Sequence, residues 1–122
     1  AMSRKLDRGI EIRLGAAADA LDRFEAAWNR VQEGRAMRPL EVLSFHDLPS
    51  LLRTLSPARW TLLQNLRTNG ACSIYELAKR LQRDYKNVHT DVTQLAGIGL
   101  IERGGDGRVA VAWDLLRAEF KL

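Results

Sequence analysis

The chain has little of the chemistry that cross-links a protein or binds a metal. Its 122 residues include one cysteine, Cys72, and two histidines. A single cysteine excludes an intramolecular disulfide, and its position just before a helix cap predicts packing rather than reactivity. His46 and His89 fall in different predicted elements, and no Cys/His pair has metal-ligand spacing. We therefore expect neither a metal site nor a cofactor.

Long apolar runs and catalytic motifs are also missing. No apolar run approaches the roughly 18 residues of a membrane span, and no secretory signal is present, so we expect a cytoplasmic protein without a membrane partner. The glycines of Gly104–Gly107 lie in a predicted hairpin turn rather than between a strand and a helix, which excludes a phosphate-binding loop. The acidic residues are scattered and no motif pairs them. The sequence predicts that the protein is not an enzyme.

Positive charge is concentrated in the second half of the chain. The net charge is +4 and the pI is about 9.7. Residues 51–122 hold eleven Lys or Arg against seven Asp or Glu, whereas residues 1–50 hold eight of each. This excess favours a polyanionic partner such as nucleic acid. The alternative is that a charge of this size is ordinary for a small protein.

The stretch Ser73–Val111 carries the most ordered pattern. Ser73 with Glu76 is a capping box that starts one helix, and the three-residue break Gln82–Asp84 follows it. Asp84 is a suitable N-cap for a second helix. The buried face predicted for that helix consists of Tyr85, Val88, Val92, Leu95 and Ala96.

The opposite face of the second helix is polar. Its members are Lys86, Asn87, His89, Thr90, Thr93 and Gln94. The helix is predicted to end at Gly97 or Gly99. Strand, glycine-rich turn and strand then follow over Leu100–Arg103, Gly104–Gly107 and Arg108–Val111. Two helices and a hairpin in this order predict a winged helix-turn-helix.

The outer face of the second helix has side chains suited to base edges. Asn and Gln can pair bidentately with adenine, and Thr can meet a thymine methyl group. The basic residues expected to contact phosphate are Lys79, Arg80, Arg83, Arg103 and Arg108. Asp91 lies at the edge of the buried face, so we expect it to orient a neighbouring basic residue. Three alternatives stay open. This face is an ordinary solvated helix surface, Asn87 helps Asp84 to cap its own helix, or Arg108 merely pairs with Glu102 across the hairpin.

The N-terminal region predicts a strand and a helix outside this stretch. Ile10–Leu14 alternates apolar and polar residues, which is typical of a half-buried strand. Ala16–Glu33 is an amphipathic helix whose apolar stripe we expect to form a homodimer: Leu21, Phe24, Trp28 and Val31. The alternative is that this stripe packs on its own domain.

The segment before the capping box predicts one strand and two helices. Leu40–Phe45 is apolar enough for a short strand, and Ser44 with Asp47 could cap a short helix through Leu55. Ser56–Pro57 signals a longer helix that runs to about Thr68. The residues that we expect this longer helix to bury are Trp60, Leu63 and Leu66.

The C-terminal tail alternates again, and its apolar members predict a strand over Leu116–Leu122. A lone terminal strand needs an edge to pair with, and Ile10–Leu14 is one candidate, within a chain or between chains. The overall class is therefore α+β. We divide the chain into an N-terminal strand-helix extension (1–55), a winged-helix domain (56–114) and a C-terminal strand (115–122).

The run Leu81–Glu102 is similar to a family of small archaeal and bacterial DNA-binding proteins. The resemblance covers about Ser56 to Asp114 and is most specific in DYKNVH, Asp84–His89, and in GLIE, Gly99–Glu102. Members are described as MarR-like regulators, and some resemble TumA-type antitoxins, which are encoded beside a toxin. The resemblance implies a winged helix that binds DNA through Lys86, Asn87, His89 and Thr90.

The helices that flank the predicted winged helix differ from the MarR pattern. MarR proteins flank their winged helix with long dimerisation helices, whereas this chain offers only Ala16–Glu33. We expect a sequence-specific regulator of transcription, a repressor, that binds double-stranded DNA as a homodimer. The same unit could also be the autoregulating antitoxin of a cognate toxin protein. The alternative is a winged-helix module that binds only proteins.

Overall fold

The computed structural model describes residues 8–15, 41–118 and 120. The chain divides into two compact units, Ala1–Leu51 with Leu115–Leu122, and Leu52–Asp114. The predicted helix Ala16–Glu33, with its stripe of Leu21, Phe24, Trp28 and Val31, lies outside the described residues. In chain order the described elements are β1 (Gly9–Leu14), β2 (Glu41–Phe45), α1 (Leu48–Thr54), α2 (Pro57–Asn69), β3 (Cys72–Ser73), α3 (Ile74–Leu81), α4 (Tyr85–Gly97), β4 (Glu102–Arg103), β5 (Arg108–Ala110) and β6 (Leu115–Ala118). The α+β class is confirmed.

The first unit contains a three-stranded sheet in the order β2-β1-β6. Both outer strands run parallel to β1, with Ile10 opposite Glu41 on one side and Leu116 on the other. The alternation predicted for β1 is confirmed, because Ile10 and Ile12 are buried. Pairing of the terminal strand with β1 within the chain, one of the possibilities left open, is observed over Leu115–Ala118 in the described residues.

Helix α1 begins with a different cap from the one predicted. The side chain of Asp47 accepts a hydrogen bond from the Ser50 backbone N–H at 2.9 Å, whereas Ser44 lies in β2. The prediction of Ser44 as the cap was wrong because the strand, which pairs Ser44 with Arg13, extends through Phe45. The helix ends at Thr54.

Helix α2 begins as predicted, with the Ser56 hydroxyl accepting from the Arg59 backbone N–H at 3.3 Å. Leu63 and Leu66 are buried as predicted, and Leu62 is buried with them. The prediction for Trp60 was wrong, because its side chain is 43% exposed. The inward stripe is Arg59, Leu62, Leu63 and Leu66, at the i, i+3, i+4, i+7 spacing of one helix face. Trp60 lies one residue off that stripe.

Helices α3 and α4 are joined by the three-residue turn predicted from the sequence. The Ser73 hydroxyl accepts from the Glu76 backbone N–H at 3.1 Å, which caps α3. Gln82 ends that helix in the left-handed region, with φ of 54°. The Asp84 carboxylate then accepts from the Asn87 backbone N–H at 3.2 Å and starts α4.

A hairpin follows α4, with shorter strands than predicted. Strands β4 and β5 are antiparallel, with Arg103 opposite Val109. The tip closes where the Gly104 N–H donates to the Arg108 carbonyl at 2.8 Å. Strand β3, which the sequence did not predict, adds to β5 on its other side. This strand has two residues, the second of which caps α3, and two residues are too few to show an alternating pattern.

The core of the second unit is formed by side chains from its three helices and from the hairpin. The largest fully buried residues are Leu62, Leu66, Leu77, Val88, Val92, Leu95, Leu100 and Val109. Cys72 is buried beside them, which confirms the prediction of packing, and this burial raises the pKa of its thiol. The Trp113 indole N–H donates to the Gly99 carbonyl at 3.1 Å and anchors the chain after the hairpin. No helix in the described part of the chain is both long and apolar enough to span a membrane.

Candidate nucleic-acid interface

Helix α4 has one polar face that is open to solvent throughout its length. Every residue assigned to this face from the sequence is exposed: Lys86, Asn87, His89, Thr90, Thr93 and Gln94. We call these six residues the outer face. They are held outward because Val88, Val92 and Leu95 on the opposite side are fully buried. The helix thus presents a continuous strip of hydrogen-bonding groups at its surface.

The inner face of α4 also carries an ion-pair cluster. Asp91 accepts from the Arg59 Nε at 3.0 Å and from the Arg83 guanidinium at 2.8 Å. Its side chain is only 14% exposed. Arg59 belongs to α2, and it also donates to the Thr54 carbonyl at 3.2 Å. The cluster therefore joins α4 to α2 and to Arg83 in the turn between α3 and α4. The prediction that Asp91 orients a basic neighbour is confirmed.

The start of α4 is capped by a side chain other than Asn87. Asp84 provides the acceptor, and Asn87 takes part only through its backbone N–H. Within the described residues no hydrogen bond occupies the Asn87 side chain. This geometry leaves the amide group of Asn87 available to a ligand.

Two other residues at this end of the helix have local partners. The Thr90 hydroxyl donates to the Lys86 carbonyl at 3.1 Å, which commits its proton to the helix backbone. The ring centroid of Tyr85 lies 5.9 Å from that of His89. Tyr85 was predicted on the buried face but is 49% exposed, because it occupies the first position of α4, beyond the packed core.

The hairpin contacts the outer face directly. Arg103 in β4 donates from Nη2 to the Thr93 hydroxyl at 2.9 Å. Arg108 in β5 faces Ser73 of β3 rather than Glu102, which pairs with Ala110. The Arg108 backbone N–H donates to the Asp106 carboxylate at 3.0 Å and steadies the turn. The two hairpin arginines thus differ, since only Arg103 is joined to α4.

The remaining predicted phosphate contacts lie on or just after α3. The Lys79 ammonium lies 5.6 Å from the centroid of the exposed Tyr75 ring. Arg80 donates to the Gly70 carbonyl at 3.1 Å. Arg83, as described above, is held by Asp91. Several of these basic side chains therefore contact a group of the protein itself. Counting charged residues in the sequence does not reveal such contacts.

Sequence reasoning missed Arg59 as a partner of the site. The signal was present, because Arg59 occupies the same helical stripe as Leu62, Leu63 and Leu66. A charged residue in an apolar stripe requires a partner of opposite charge. Asp91, placed at the edge of the buried face of α4, satisfies that requirement.

Metal-ligating side chains do not cluster in the described part of this region. Among the residues that the structure describes, no group of three or more His, Cys, Asp or Glu is placed to hold a metal ion. The arrangement instead offers amide, hydroxyl, imidazole and ammonium groups along one helix, with two arginines on the adjacent hairpin. Such groups bind a ligand through hydrogen bonds and charge.

Comparison with known protein families shows to which family the chain belongs. Residues 54–118, which are more than half of the sequence, match the HVO_A0114 family. The chain belongs to the HVO_A0114 family. The region matched to HVO_A0114 begins at the end of α1 and runs through β6, so it contains both the outer face and the hairpin. No curated protein matches the chain.

Proposed function

We propose that the chain is a sequence-specific DNA-binding regulator of transcription with a winged helix-turn-helix. In this proposal α4 is the recognition helix, which lies in the major groove, and the β4–β5 hairpin is the wing. The observation that carries the proposal is the division of α4 into a packed inner face and a fully exposed outer face of amide, hydroxyl and basic groups. A major groove about 12 Å wide admits one helix, and these groups match its donors and acceptors.

The charge of the surrounding surface supports duplex DNA over a neutral partner. Lys86 and Arg108 are exposed, and neither side chain makes a hydrogen bond or ion pair with another described residue. Lys86 lies in the first turn of α4, where free backbone N–H groups also attract phosphate. We assign Arg108 to the phosphate backbone. The sequence analysis proposes a repressor. A protein bound to DNA represses transcription where its binding site overlaps a promoter.

Salt dependence of DNA binding tests the proposal. Each phosphate contact contributes about one unit to the slope of log affinity against log salt concentration. We expect the purified chain to bind a short fluorescent duplex with a clear negative slope. Arg108→Ala should weaken binding to every duplex and reduce the slope by about one unit.

Arg117→Ala is the matched control, because Arg117 is exposed on β6 in the other unit. It should leave the slope unchanged. Absence of any duplex binding at low salt contradicts the proposal and favours the alternative, a winged-helix module that binds only proteins.

Homodimerisation and a toxin partner stay proposals that rest on the sequence. A two-fold symmetric dimer can read two half-sites, which raises both affinity and specificity. The stripe proposed for the dimer lies outside the described residues. Light scattering at micromolar concentration, on the chain and on Trp28→Ala, tests it, and a monomer in both contradicts it.

A further inference from the structure

The hydrogen bond between the hairpin and the outer face divides that face into two edges. Thr93, which accepts from Arg103, shares one edge with His89 four residues earlier. The other edge consists of Asn87, Thr90 and Gln94, spaced by three and four residues along α4. Residues at this spacing lie above one another on a helix. We call Asn87, Thr90 and Gln94 the open edge.

The open edge offers three specific groups to a ligand. Within the described residues no hydrogen bond occupies the Asn87 or Gln94 side chain, so both amides are available. The Thr90 hydroxyl has committed its proton to the Lys86 carbonyl. Thr90 therefore presents its methyl group and the lone pairs of its oxygen.

These groups match one kind of base pair. Asn and Gln pair bidentately with adenine N6 and N7, and the threonine methyl packs against the thymine C5-methyl group. Asparagine and glutamine reach this pairing because one amide carries both a donor and an acceptor, as adenine does in the major groove. Building on the proposed function, we infer that the open edge reads adenine–thymine pairs, and that Arg103 is a positioning residue that holds the hairpin on the opposite edge.

The role of Arg103 follows from geometry. Its guanidinium is joined to Thr93, and its own strand pairs with β5 through the buried Val109. A side chain fixed at both ends sets the distance between hairpin and recognition helix. Arg108, by contrast, lies on the same hairpin without a link to α4. The two arginines should therefore affect binding differently.

The first arm of the test is selection of bound duplexes from a random library by the full chain. We expect enrichment of A·T pairs at positions that depend on the open edge. Asn87→Ala and Gln94→Ala should each remove preference at a different base pair, by roughly tenfold in relative affinity. Preferences that stay intact in both variants overturn the inference.

Failure of this arm can be told from failure of the proposed function. If the wild-type chain enriches no duplex, the proposed function itself fails. Enrichment of G·C pairs alone, together with unchanged preferences in Asn87→Ala and Gln94→Ala, leaves DNA binding intact and overturns only the assignment of the open edge.

The second arm compares Arg103 with Arg108. Arg103→Ala should broaden preference at several positions while the salt slope stays constant. Arg108→Ala should reduce the slope by about one unit and keep the preferences. A slope reduced by Arg103→Ala with preferences unchanged identifies Arg103 as a phosphate contact and overturns its positioning role.

Thr93 provides the matched control for the link. Thr93→Val has a similar shape but removes the acceptor, so it should reproduce the broadened preference of Arg103→Ala. Thr93→Ser keeps the acceptor and should broaden the preference less than Thr93→Val does. The double variant Thr93→Val/Arg103→Ala should broaden the base preference no more than either single variant does, since both changes remove the same contact. Additive losses overturn the role of the link. Thr93, Arg103 and Arg108 are all exposed, so the melting temperatures of these variants should be unchanged.

Discussion

The two faces of α4 differ in how their polar groups are used. On the inner face Asp91 is largely buried and accepts hydrogen bonds from two arginines that come from different elements. On the outer face the amides of Asn87 and Gln94 are exposed and carry no internal hydrogen bond within the described residues. The first arrangement fixes the helix in the protein. The second leaves the two amides exposed to solvent on a helix that is itself held in place.

This comparison shows why charge alone is a poor guide to the interface. Arg83 and Arg108 are both basic and lie on either side of α4 in sequence, yet Arg83 is held by Asp91 whereas Arg108 extends from the hairpin. In the proposal, stability and recognition thus depend on different residues. Substitutions on the inner face should change the free energy of unfolding, whereas substitutions on the outer face should change ligand preference.

The largest loss of stability is expected from Leu95→Ala. Leu95 is fully buried, and truncation of such a leucine costs about 2–5 kcal/mol through lost transfer energy and the cavity that remains. Chemical denaturation measures the free energy of unfolding. Gln94→Ala, one residue earlier on the outer face, is the control and should stay within about 0.5 kcal/mol of wild type. Similar losses in both variants contradict the division of the helix into two faces.

Asp91→Asn should cost less than Leu95→Ala. The change removes the charge that Arg59 and Arg83 share while it keeps the size of the side chain. We expect a loss of about 2 kcal/mol, below that of a fully buried pair because the arginines are partly solvated. Glu41→Gln, an exposed acid at the start of β2, should be near neutral by the same denaturation assay. If Asp91→Asn and its control lower the free energy of unfolding equally, the ion-pair cluster has no structural role.

Asp84→Ala should remove the cap of α4 and lower stability by about 1 kcal/mol. The melting temperature reports this change. Asp84→Asn keeps an acceptor at the same position and should recover most of the loss. If Asp84→Ala melts at the wild-type temperature, the cap contributes nothing.

Asn87→Ala should have the smallest effect on stability, within about 0.5 kcal/mol of wild type. The reason is that its backbone N–H, which the substitution retains, makes the capping bond with Asp84. Thermal denaturation alongside Asp84→Ala provides the comparison. A drop in melting temperature equal to that of Asp84→Ala restores the interpretation of Asn87 as a cap.

Much of the fold could be predicted because local signals were strong. Ser56, Ser73 and Asp84 each precede a helix that they cap, and their short polar side chains make that assignment from sequence alone. The alternation of β1 and of the terminal strand likewise predicted two strands, and the pairing that the structure shows was one of the possibilities left open. The prediction for Ser44 failed because β2 extends past it, and the extent of pairing depends on a partner far away in sequence.

The composition of the outer face was predictable, but its internal contacts were not. Helical periodicity placed all six residues on one exposed face. The bonds from Arg103 to Thr93 and from Arg59 to Asp91 join residues 10 and 32 positions apart, and periodicity within one helix contains no information on them. The exposure of Trp60 was not predictable either, because it depends on which face of α2 packs against the core.

The most direct test of the account compares binding to two duplexes of the same length and base composition. One carries the sequence selected from a random library, and the other carries the same bases in scrambled order. Specific binders prefer their site by about 10³-fold or more at physiological salt. We predict a preference of that order for the wild-type chain, measured by competition. Equal affinity for the two duplexes would contradict the claim that the outer face of α4 reads DNA sequence.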